Sequence, residues 1–461
     1  MSDAPARGTT GALWATVLGS SVAMVDGSIV NVALPAMAKA LDADAAGVQW
    51  IVNGYMLPLG ALVLVGGALA DSIGRKTVFL AGLVLFALAS IGCMAAPTLG
   101  WLIAARVGQG VGAALLTPAS LAILGADFDG EARAKAIGTW AAAGAIAAAI
   151  GPIIGGWLVD VVGWRWVFGL IIPLAAGAGV LAMLFVEHGR DPDAAKPDWI
   201  GGALATAGLG LLVWGLTIAT SGASSGGQHA WPYTAGGVVA SGAFLWWESR
   251  CGKHAMVPLG LFATRAFSAI TVLTFLLYAA LSGALLLLPY LLISTGWKAT
   301  AAGAAVLPLP LIMGAGSRLS GLVAERIGAR WMLAAGPMLV GIGFVLMRMI
   351  PGSDIAFVPH LLPAMLVIGL GMTIAVAPLT TTVMASVDRH HAGAASGVNN
   401  ATARIGAMVA VALIGLVLTG GGRGVSIDAF HAAALIAGGV AVLAGVAGWF
   451  SLAGADPAKA A

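Results

Sequence analysis

The most constraining feature of this sequence is a series of long apolar segments that recurs along nearly the whole chain of 461 residues. The hydrocarbon core of a bilayer is about 30 Å thick, so a helix that crosses it needs about 20 mostly apolar residues. With 60% of its residues hydrophobic and only 9% charged, the chain has too little polar surface for a soluble globular protein. We therefore predict an all-α polytopic membrane protein with fourteen transmembrane helices. The predicted spans lie near residues 12–34, 48–70, 77–96, 99–124, 134–160, 164–186, 199–219, 231–248, 267–293, 299–324, 331–350, 357–384, 393–419 and 429–452.

The positions of the 22 lysine and arginine residues predict how these spans are oriented. With the N-terminus placed inside, the cytoplasmic loops and termini hold fourteen basic residues, and the outer loops with the adjoining span ends hold five. An excess of basic residues on the cytoplasmic side is typical of membrane proteins. The other three, Arg106, Arg318 and Arg404, fall within predicted spans. We expect a multi-pass protein of the cytoplasmic (inner) membrane with both termini in the cytoplasm.

A repeated loop indicates that the chain contains two related halves. The segment GALADSIGRK (67–76) follows span 2, and GLVAERIGAR (321–330) follows span 10; the two align without a gap at an offset of 254 residues. Internal repeats of this kind are common in secondary transporters. If each half holds six spans, two further spans lie between the halves. The predicted division is a six-helix bundle at 12–186, linkers with two inserted helices at 187–258, and a second six-helix bundle at 259–452.

Six motifs in order give the chain a resemblance to a known family. They are VDGSIVNVALP (25–35), GALADSIGRK (67–76), RVGQGVGAA (106–114), GPIIGG (151–156), WRWVF (164–168) and GAASGVNNATARIGA (393–407). The chain resembles the major facilitator superfamily, and within it the fourteen-span drug:proton antiporter branch, from about Leu13 to Leu416. The resemblance implies two six-helix bundles with pseudo-two-fold symmetry plus two inserted helices. It also implies alternating access, with lipophilic drugs or toxic compounds exported in exchange for protons.

Two charged residues within spans are candidates for proton coupling. Asp26 lies nine residues before Pro35 and Arg106 five residues after Trp101, which places both in the outer half of the bilayer at the rise of an α-helix. Each charge needs a partner at this depth. Burial and a neighbouring arginine act in opposite directions on the pKa of a carboxyl group, so Asp26 can titrate near neutral pH as a proton carrier does. The alternative interpretation is a purely structural ion pair.

Two glycine-containing motifs are candidates for conformational roles. In loop 2–3, Asp71, Gly74 and Arg75 predict a gating latch in which Asp71 contacts the N-terminus of another helix and Arg75 a neighbouring acid. The alternative is a solvated loop that serves only topology. In span 5, Gly151, Pro152 and Gly155 predict close approach of a span from the other half and a local bend; the alternative is ordinary helix packing.

Several polar or aromatic residues within spans are candidates for a substrate cavity. These candidates are Asn31, Asn53, Tyr55, Gln109, Trp140 and Arg404. Cores and interfacial belts use the same residue types, so packing is the competing interpretation. The middle of span 10, VLPLPLIMGAG, carries no acid, where some relatives place a second carboxylate. Asp198 is expected to cap span 7.

Other function classes are disfavoured by the motifs that the sequence lacks. It contains no HExxH, no GxSxG and no P-loop, so we expect neither an enzyme nor direct use of ATP, and neither a cofactor nor a metal site. A channel remains an alternative that fits the two-half repeat less well. A proton-coupled exporter of one specific metabolite, lipid or siderophore is the second alternative. The expected partners are a small lipophilic substrate, protons and the lipid bilayer, with no nucleic acid, and the protein is expected to function as a monomer.

Overall fold

The computed structural model describes residues 7–190, 197–220, 229–252, 255–387, 392–419 and 424–451, most of which lie in helices. Parts of both predicted linkers, 187–198 and 248–258, therefore lie outside the described residues. The first nine helices are α1 Arg7–Ala40, α2 Ala45–Ile73, α3 Arg75–Met94, α4 Leu99–Asp127, α5 Gly130–Val161, α6 Trp166–Gly169, α7 Ile171–Phe185, α8 Trp199–Thr220 and α9 Ala230–Cys251. The others are α10 Arg265–Ser294, α11 Ala299–Ala305, α12 Pro308–Ile327, α13 Ala329–Leu346, α14 Leu362–Ala385, α15 Ala392–Leu413 and α16 Ile427–Ser451.

Thirteen helical segments within the described residues are long and apolar enough to cross a membrane. Each coincides with one of the predicted spans. A long apolar segment in lipid forms a helix because a helix satisfies its backbone hydrogen bonds internally. The predicted eighth span corresponds to α9, which has 22 residues. This helix is not among the thirteen, because its many Gly, Ser, Thr, Trp and Tyr residues lower its mean hydropathy.

Local signals in the sequence set several helix ends. The carboxylate of Asp44 accepts a hydrogen bond of 2.8 Å from the backbone N–H of Gly47 at the start of α2. Asp198 accepts an equivalent bond of 2.8 Å from Gly201 at the start of α8, which confirms its predicted capping role. Such bonds satisfy N–H groups that have no partner within the helix.

The two copies of the repeated loop adopt the same form. A single glycine separates α2 from α3 and another separates α12 from α13, with φ of 123° at Gly74 and 88° at Gly328. Residues with a side chain rarely adopt such backbone angles, so the repeat requires glycine at this position. The sequence repeat is therefore matched by a repeated helix–turn–helix geometry.

The helices cluster into two compact units. The first contains α1 to α7, α8 as far as Gly215, α9 and the short segment Lys298–Thr300; the second contains the rest of α8 and most of the chain from Val257 onward. Within the first unit α2 and α3 pack on α4, and α1 packs on α5 and α7. Within the second unit α12 and α13 pack on α14, and α10 packs on α15 and α16. The same pairing scheme therefore occurs in each unit. The second unit also contains a hairpin of two short strands, β1 Leu418–Thr419 and β2 Gly424–Val425.

Candidate functional site

The centre of the first unit contains a buried ion pair. Asp26 on α1 has 0% of its surface exposed and Arg106 on α4 has 1%. A guanidinium nitrogen of Arg106 donates a hydrogen bond of 2.5 Å to Oδ2 of Asp26. The structure thus brings together the two residues that the sequence placed at a similar depth on separate helices.

Gln109 is the third member of this cluster. Its Nε2 donates to Oδ1 of Asp26 at 3.1 Å, and its Oε1 accepts from the same arginine at 2.8 Å. The amide of Gln109 therefore contacts both charged partners, one with its donor and one with its acceptor. Gln109 is fully buried, so its side chain is engaged with the ion pair in this conformation.

Helix α3 supplies two further polar groups that sequence reasoning missed. Ser90 Oγ accepts a hydrogen bond of 2.8 Å from Gln109 Nε2, and Cys93 Sγ lies 3.3 Å from Gln109 Oε1 as a donor. Ser90 and Cys93 are three residues apart and so lie on one face of α3. A polar residue followed three positions later by a cysteine in an otherwise apolar helix was the available signal.

Arg106 has partners besides the carboxylate. Its Nε donates to the carbonyl oxygen of Ile51 at 3.0 Å. Its guanidinium lies 4.5 Å from the ring centre of Tyr55 and 5.9 Å from that of Phe168. The phenol of Tyr55 in turn donates to the carbonyl oxygen of Ala23 at 3.0 Å. Aromatic rings thus cover the cation, where cation–π attraction is strongest because water is excluded.

The network around Arg106 determines what the site can do chemically. If Asp26 takes up a proton and becomes neutral, Arg106 retains the Ile51 carbonyl, the Gln109 amide oxygen and the Tyr55 ring as partners. An unpaired buried cation without such partners would be strongly unfavourable. The site can therefore accommodate both charge states of the carboxyl group.

The other candidates for a substrate cavity lie in different places. Asn53 is fully buried on α2 and Asn31 is half-buried on α1. Trp140 on α5 donates its indole N–H to Ser20 Oγ at 2.8 Å, and Ser20 donates to Ser120 Oγ at 2.8 Å. These residues belong to the first unit, whereas Arg404 lies half-buried on α15 in the second.

The span 5 glycines pack differently from the sequence prediction. A Cβ at Gly151 would collide with Ser28, and one at Gly155 would collide with Ile29. Both glycines, with Pro152 buried beside them, therefore face α1 in the same unit rather than a span from the other half. The prediction was wrong because a small-residue face shows that a helix approaches closely but does not identify the helix. This contact lies directly beside Asp26.

The structure pairs the loop 2–3 residues with each other. Arg75 Nε lies 3.9 Å from Oδ1 of Asp71, one helical turn away, and both side chains are partly exposed. The neighbouring acid expected for Arg75 is thus Asp71 of the same motif, with Asp127 also close enough to interact electrostatically. The backbone N–H of Arg75 donates to the carbonyl oxygen of Gly189 at 3.1 Å, which fixes the chain after α7 against the glycine turn.

A carboxylate that was not predicted from the sequence holds the C-terminal end of α5 to segment 298–300. Asp160 accepts hydrogen bonds from the backbone N–H groups of Ala299 and Thr300 at 3.0 and 2.9 Å and from the Thr300 hydroxyl at 2.6 Å. A Cβ at Gly156, one turn earlier, would collide with Ala299. These contacts explain why segment 298–300 belongs to the first unit.

Comparison with known proteins gives consistent results. The family profile described as Major Facilitator Superfamily matches residues 16–403 and also 270–461. A methylenomycin A resistance protein of Bacillus subtilis is 34% identical over 404 residues, which covers 87% of this chain and 86% of that protein. The multidrug resistance protein Stp of Mycobacterium tuberculosis is 32% identical over 421 residues, 88% of this chain and 75% of that protein.

Among solved structures, a peptide transporter of the POT family crystallised with sulfate superposes with a TM-score of 0.72. The superposition covers 97% of this chain and 94% of that one at 14% sequence identity. At this identity the likeness concerns the fold alone.

Proposed function

This chain belongs to the major facilitator superfamily of membrane transporters, and from that premise we propose that it exports lipophilic drugs or toxic compounds in exchange for protons. Export is supported by the relatives, which are named as a methylenomycin A resistance protein and a multidrug resistance protein. It is also supported by the GPIIGG motif of α5, which is similar to the motif that the family associates with exporters.

The observation that carries the proton coupling is the buried cluster of Asp26, Arg106 and Gln109. Asp26 has 0% of its surface exposed. An ionisable group buried within a membrane span is energetically costly, and such residues usually have a function. We assign proton binding to Asp26 and the stabilisation of its ionised form to Arg106. Gln109 bridges the two. Each of the other contacts of Arg106 persists in either state.

The energetics are compatible with one proton per cycle. One proton moving down a force of about 150 mV supplies about 3.5 kcal/mol, since 100 mV is worth about 2.3 kcal/mol per charge. Because 1.4 kcal/mol corresponds to a factor of ten, one-for-one exchange supports a gradient of about 300-fold for a neutral substrate. A single carboxyl group is sufficient for this stoichiometry.

We further propose that the two bundles expose this site alternately to the two sides of the cytoplasmic membrane, with both termini in the cytoplasm. The basic residues between spans support that orientation. We assign a role in the conformational change at the inner side of the membrane to Asp71, Gly74 and Arg75. Gly151, Pro152 and Gly155 hold α5 against the segment of α1 that carries Asp26. The protein works as a monomer in this scheme.

The proposal is tested with the purified protein in proteoliposomes. A susceptibility screen in a host lacking its own pumps first identifies a substrate. Transport of that substrate is then expected to saturate, to be driven uphill by a pH gradient alone, and to show counterflow when no gradient is imposed. Non-saturating flux without counterflow would show a channel, and saturable transport that ignores the pH gradient would refute proton exchange.

A further inference from the structure

The second unit contains an arginine whose position within the membrane is unusual. Arg318 lies on α12 eight residues before Arg326, which marks the inner end of that helix, so it is about 12 Å into the span at 1.5 Å per residue. Its side chain is exposed, and none of the ion pairs found within the described residues includes it. A guanidinium group at this depth is strongly disfavoured in hydrocarbon.

The face of α12 around Arg318 is not covered by the neighbouring helix α14. The opposite face packs on α14, where Ile312 lies against Gly369 and Gly316 against Thr373. Arg318 therefore points away from the helix contact. Gly314 and Gly321 lie one turn before and after it on the same side, and a Cβ at either would have no neighbour within 4 Å. Leu322, one turn after Arg318, and Leu311, two turns before it, are exposed on the same side, so the arginine borders an uncovered face that also presents leucine side chains.

A second arginine lies at a comparable depth on α15. Arg404 is twelve residues from the start of that helix, about 18 Å into it at the same rise. It interacts electrostatically with the phenol of Tyr278 on α10. One turn away along the same pair of helices, Thr274 donates to Oδ1 of Asn399 at 2.7 Å. The contact between α10 and α15 therefore contains several polar side chains together with the cation of Arg404.

Among the described residues, no acidic residue lies in the interior of the spans of the second unit. From Val257 to Ser451 the sequence holds only four acidic residues. Glu325 and Asp428 lie within three residues of a helix end, Asp354 lies between helices, and Asp388 lies outside the described residues. Charges interact more strongly in a low-dielectric surrounding than in water. The membrane interior of the second unit is therefore electropositive.

We propose that the second unit selects lipophilic anions, such as aromatic sulfonates or carboxylates, over cations, and that Arg318 binds the anionic group. This inference names the substrate class of the proposed exporter and rests on that function. Arg404 contributes positive potential from α15, and the exposed leucines beside Arg318 accommodate the lipophilic body. A guanidinium group suits this task because its donors match the geometry of oxyanions.

The test compares three probes with one aromatic body: 1-pyrenesulfonate, 1-pyrenemethanol and 1-pyrenemethylammonium. Binding to the full chain in nanodiscs of phosphatidylcholine, a lipid without net charge, is measured by energy transfer from the 15 tryptophans. We expect the sulfonate to bind most tightly and the ammonium compound most weakly. Arg318→Gln should reduce the ratio of sulfonate to alcohol affinity about ten- to hundredfold, the range of a charge-assisted hydrogen bond.

Two further variants keep the test decisive. Arg326→Gln removes an exposed cation from the inner end of the same helix and should leave the affinity ratio unchanged. Arg318→Lys retains the charge and should retain most of the ratio, which also guards against misfolding of the glutamine variant. Equal ratios in Arg318→Gln and Arg326→Gln, or a sulfonate that binds no better than the alcohol, would overturn the inference.

The binding and transport experiments distinguish a failure of the inference on anions from a failure of the proposed function. If the wild-type protein exports the screened substrate under a pH gradient but shows no preference for the sulfonate, the inference on anions alone is wrong. If the sulfonate binds through Arg318 but no substrate is driven by the gradient, the anion site stands and proton exchange is wrong.

Discussion

Asp26→Asn is the most informative substitution because it removes the titrating group and keeps its shape. Asn retains one oxygen that can accept from Arg106, which donates to Asp26 at 2.5 Å in the wild-type protein. Its other terminal atom becomes a donor and faces the Gln109 amide, now 3.1 Å from Oδ1 of Asp26. A flip of that amide presents an oxygen instead, but it also turns a donor toward Arg106, so the hydrogen bond between Arg106 and Gln109 is lost.

The structure indicates the size of the effect on stability. Hydrogen bonds to charged groups contribute about 1.5–3 kcal/mol, so the loss of the ionised acceptor should lower the free energy of unfolding by about that amount. Arg106 keeps the Ile51 carbonyl and the Tyr55 ring as partners. The cost is therefore below the roughly 3–5 kcal/mol expected when one partner of a buried pair is deleted, and the variant should fold.

The effect on transport should be much larger. The wild-type protein can support a gradient of about 300-fold per proton, as derived from the proton-motive force, whereas Asp26→Asn should reach no accumulation. Wild-type substrate affinity should rise with pH, at most tenfold per pH unit, because substrate binding releases one proton. Affinity in the variant should not depend on pH.

The assay measures substrate accumulation and equilibrium binding in proteoliposomes between about pH 6 and 8, a range that brackets physiological pH. Asp129→Asn, an exposed carboxylate with no capping bond to its helix, is the matched control and should behave as the wild-type protein. Arg106→Ala should be at least as damaging as Asp26→Asn, since it leaves the carboxyl group buried without its cation. Uphill transport by Asp26→Asn with normal pH dependence would show that Asp26 is only a structural partner of Arg106.

The remaining predictions concern helix packing and the two ends of the first unit. Gly155→Ile should reduce transport and thermal stability by pushing α5 off α1, while Gly177→Ile, whose Cβ has no neighbour within 4 Å, should not; equal effects would refute the packing argument. Asp71→Asn should lower turnover at normal protein level, and unchanged turnover would mean that this loop serves topology alone. Asp160→Asn should speed hydrogen exchange at residues 298–300, because an ionised acceptor of three hydrogen bonds is lost; unchanged protection would contradict it.

The spans and the repeat could be predicted from the sequence because both depend on local patterns. Apolar length determines where a helix crosses a bilayer, and the predicted spans agree with the helices to within a few residues except α1, which extends further at both ends. The glycine at the repeated loop signals a backbone angle that only glycine adopts readily, and Gly74 and Gly328 both have it. In α9 the pattern was weaker, because Gly, Ser, Thr, Trp and Tyr make up much of the helix and lower its mean hydropathy.

The partners of a side chain could be predicted only where one physical constraint left few choices. Depth in the membrane constrained Asp26 and Arg106, because each charge required a partner in the same layer. Ser90 carries no charge and its hydroxyl can bond within its own helix, as it does to the carbonyl oxygen of Phe86, so nothing in the sequence assigned it to Gln109. Gly155 likewise predicted a closely packed neighbour, but the sequence did not identify that neighbour as α1.

The presence of a carboxylate in an apolar helix can be examined by comparing the ion pair of Asp26 and Arg106 with an apolar substitute. A buried ion pair is often no more stabilising than well-packed hydrophobic residues of similar volume, so stability alone does not account for Asp26 and Arg106. What hydrophobic residues cannot provide is a group that changes charge while its surroundings stay satisfied. Arg106 has that freedom, since the Ile51 carbonyl, Gln109 and the Tyr55 ring hold it whether or not Asp26 is ionised. These contacts therefore support the proposed role of Asp26 in proton binding over the alternative of a structural ion pair.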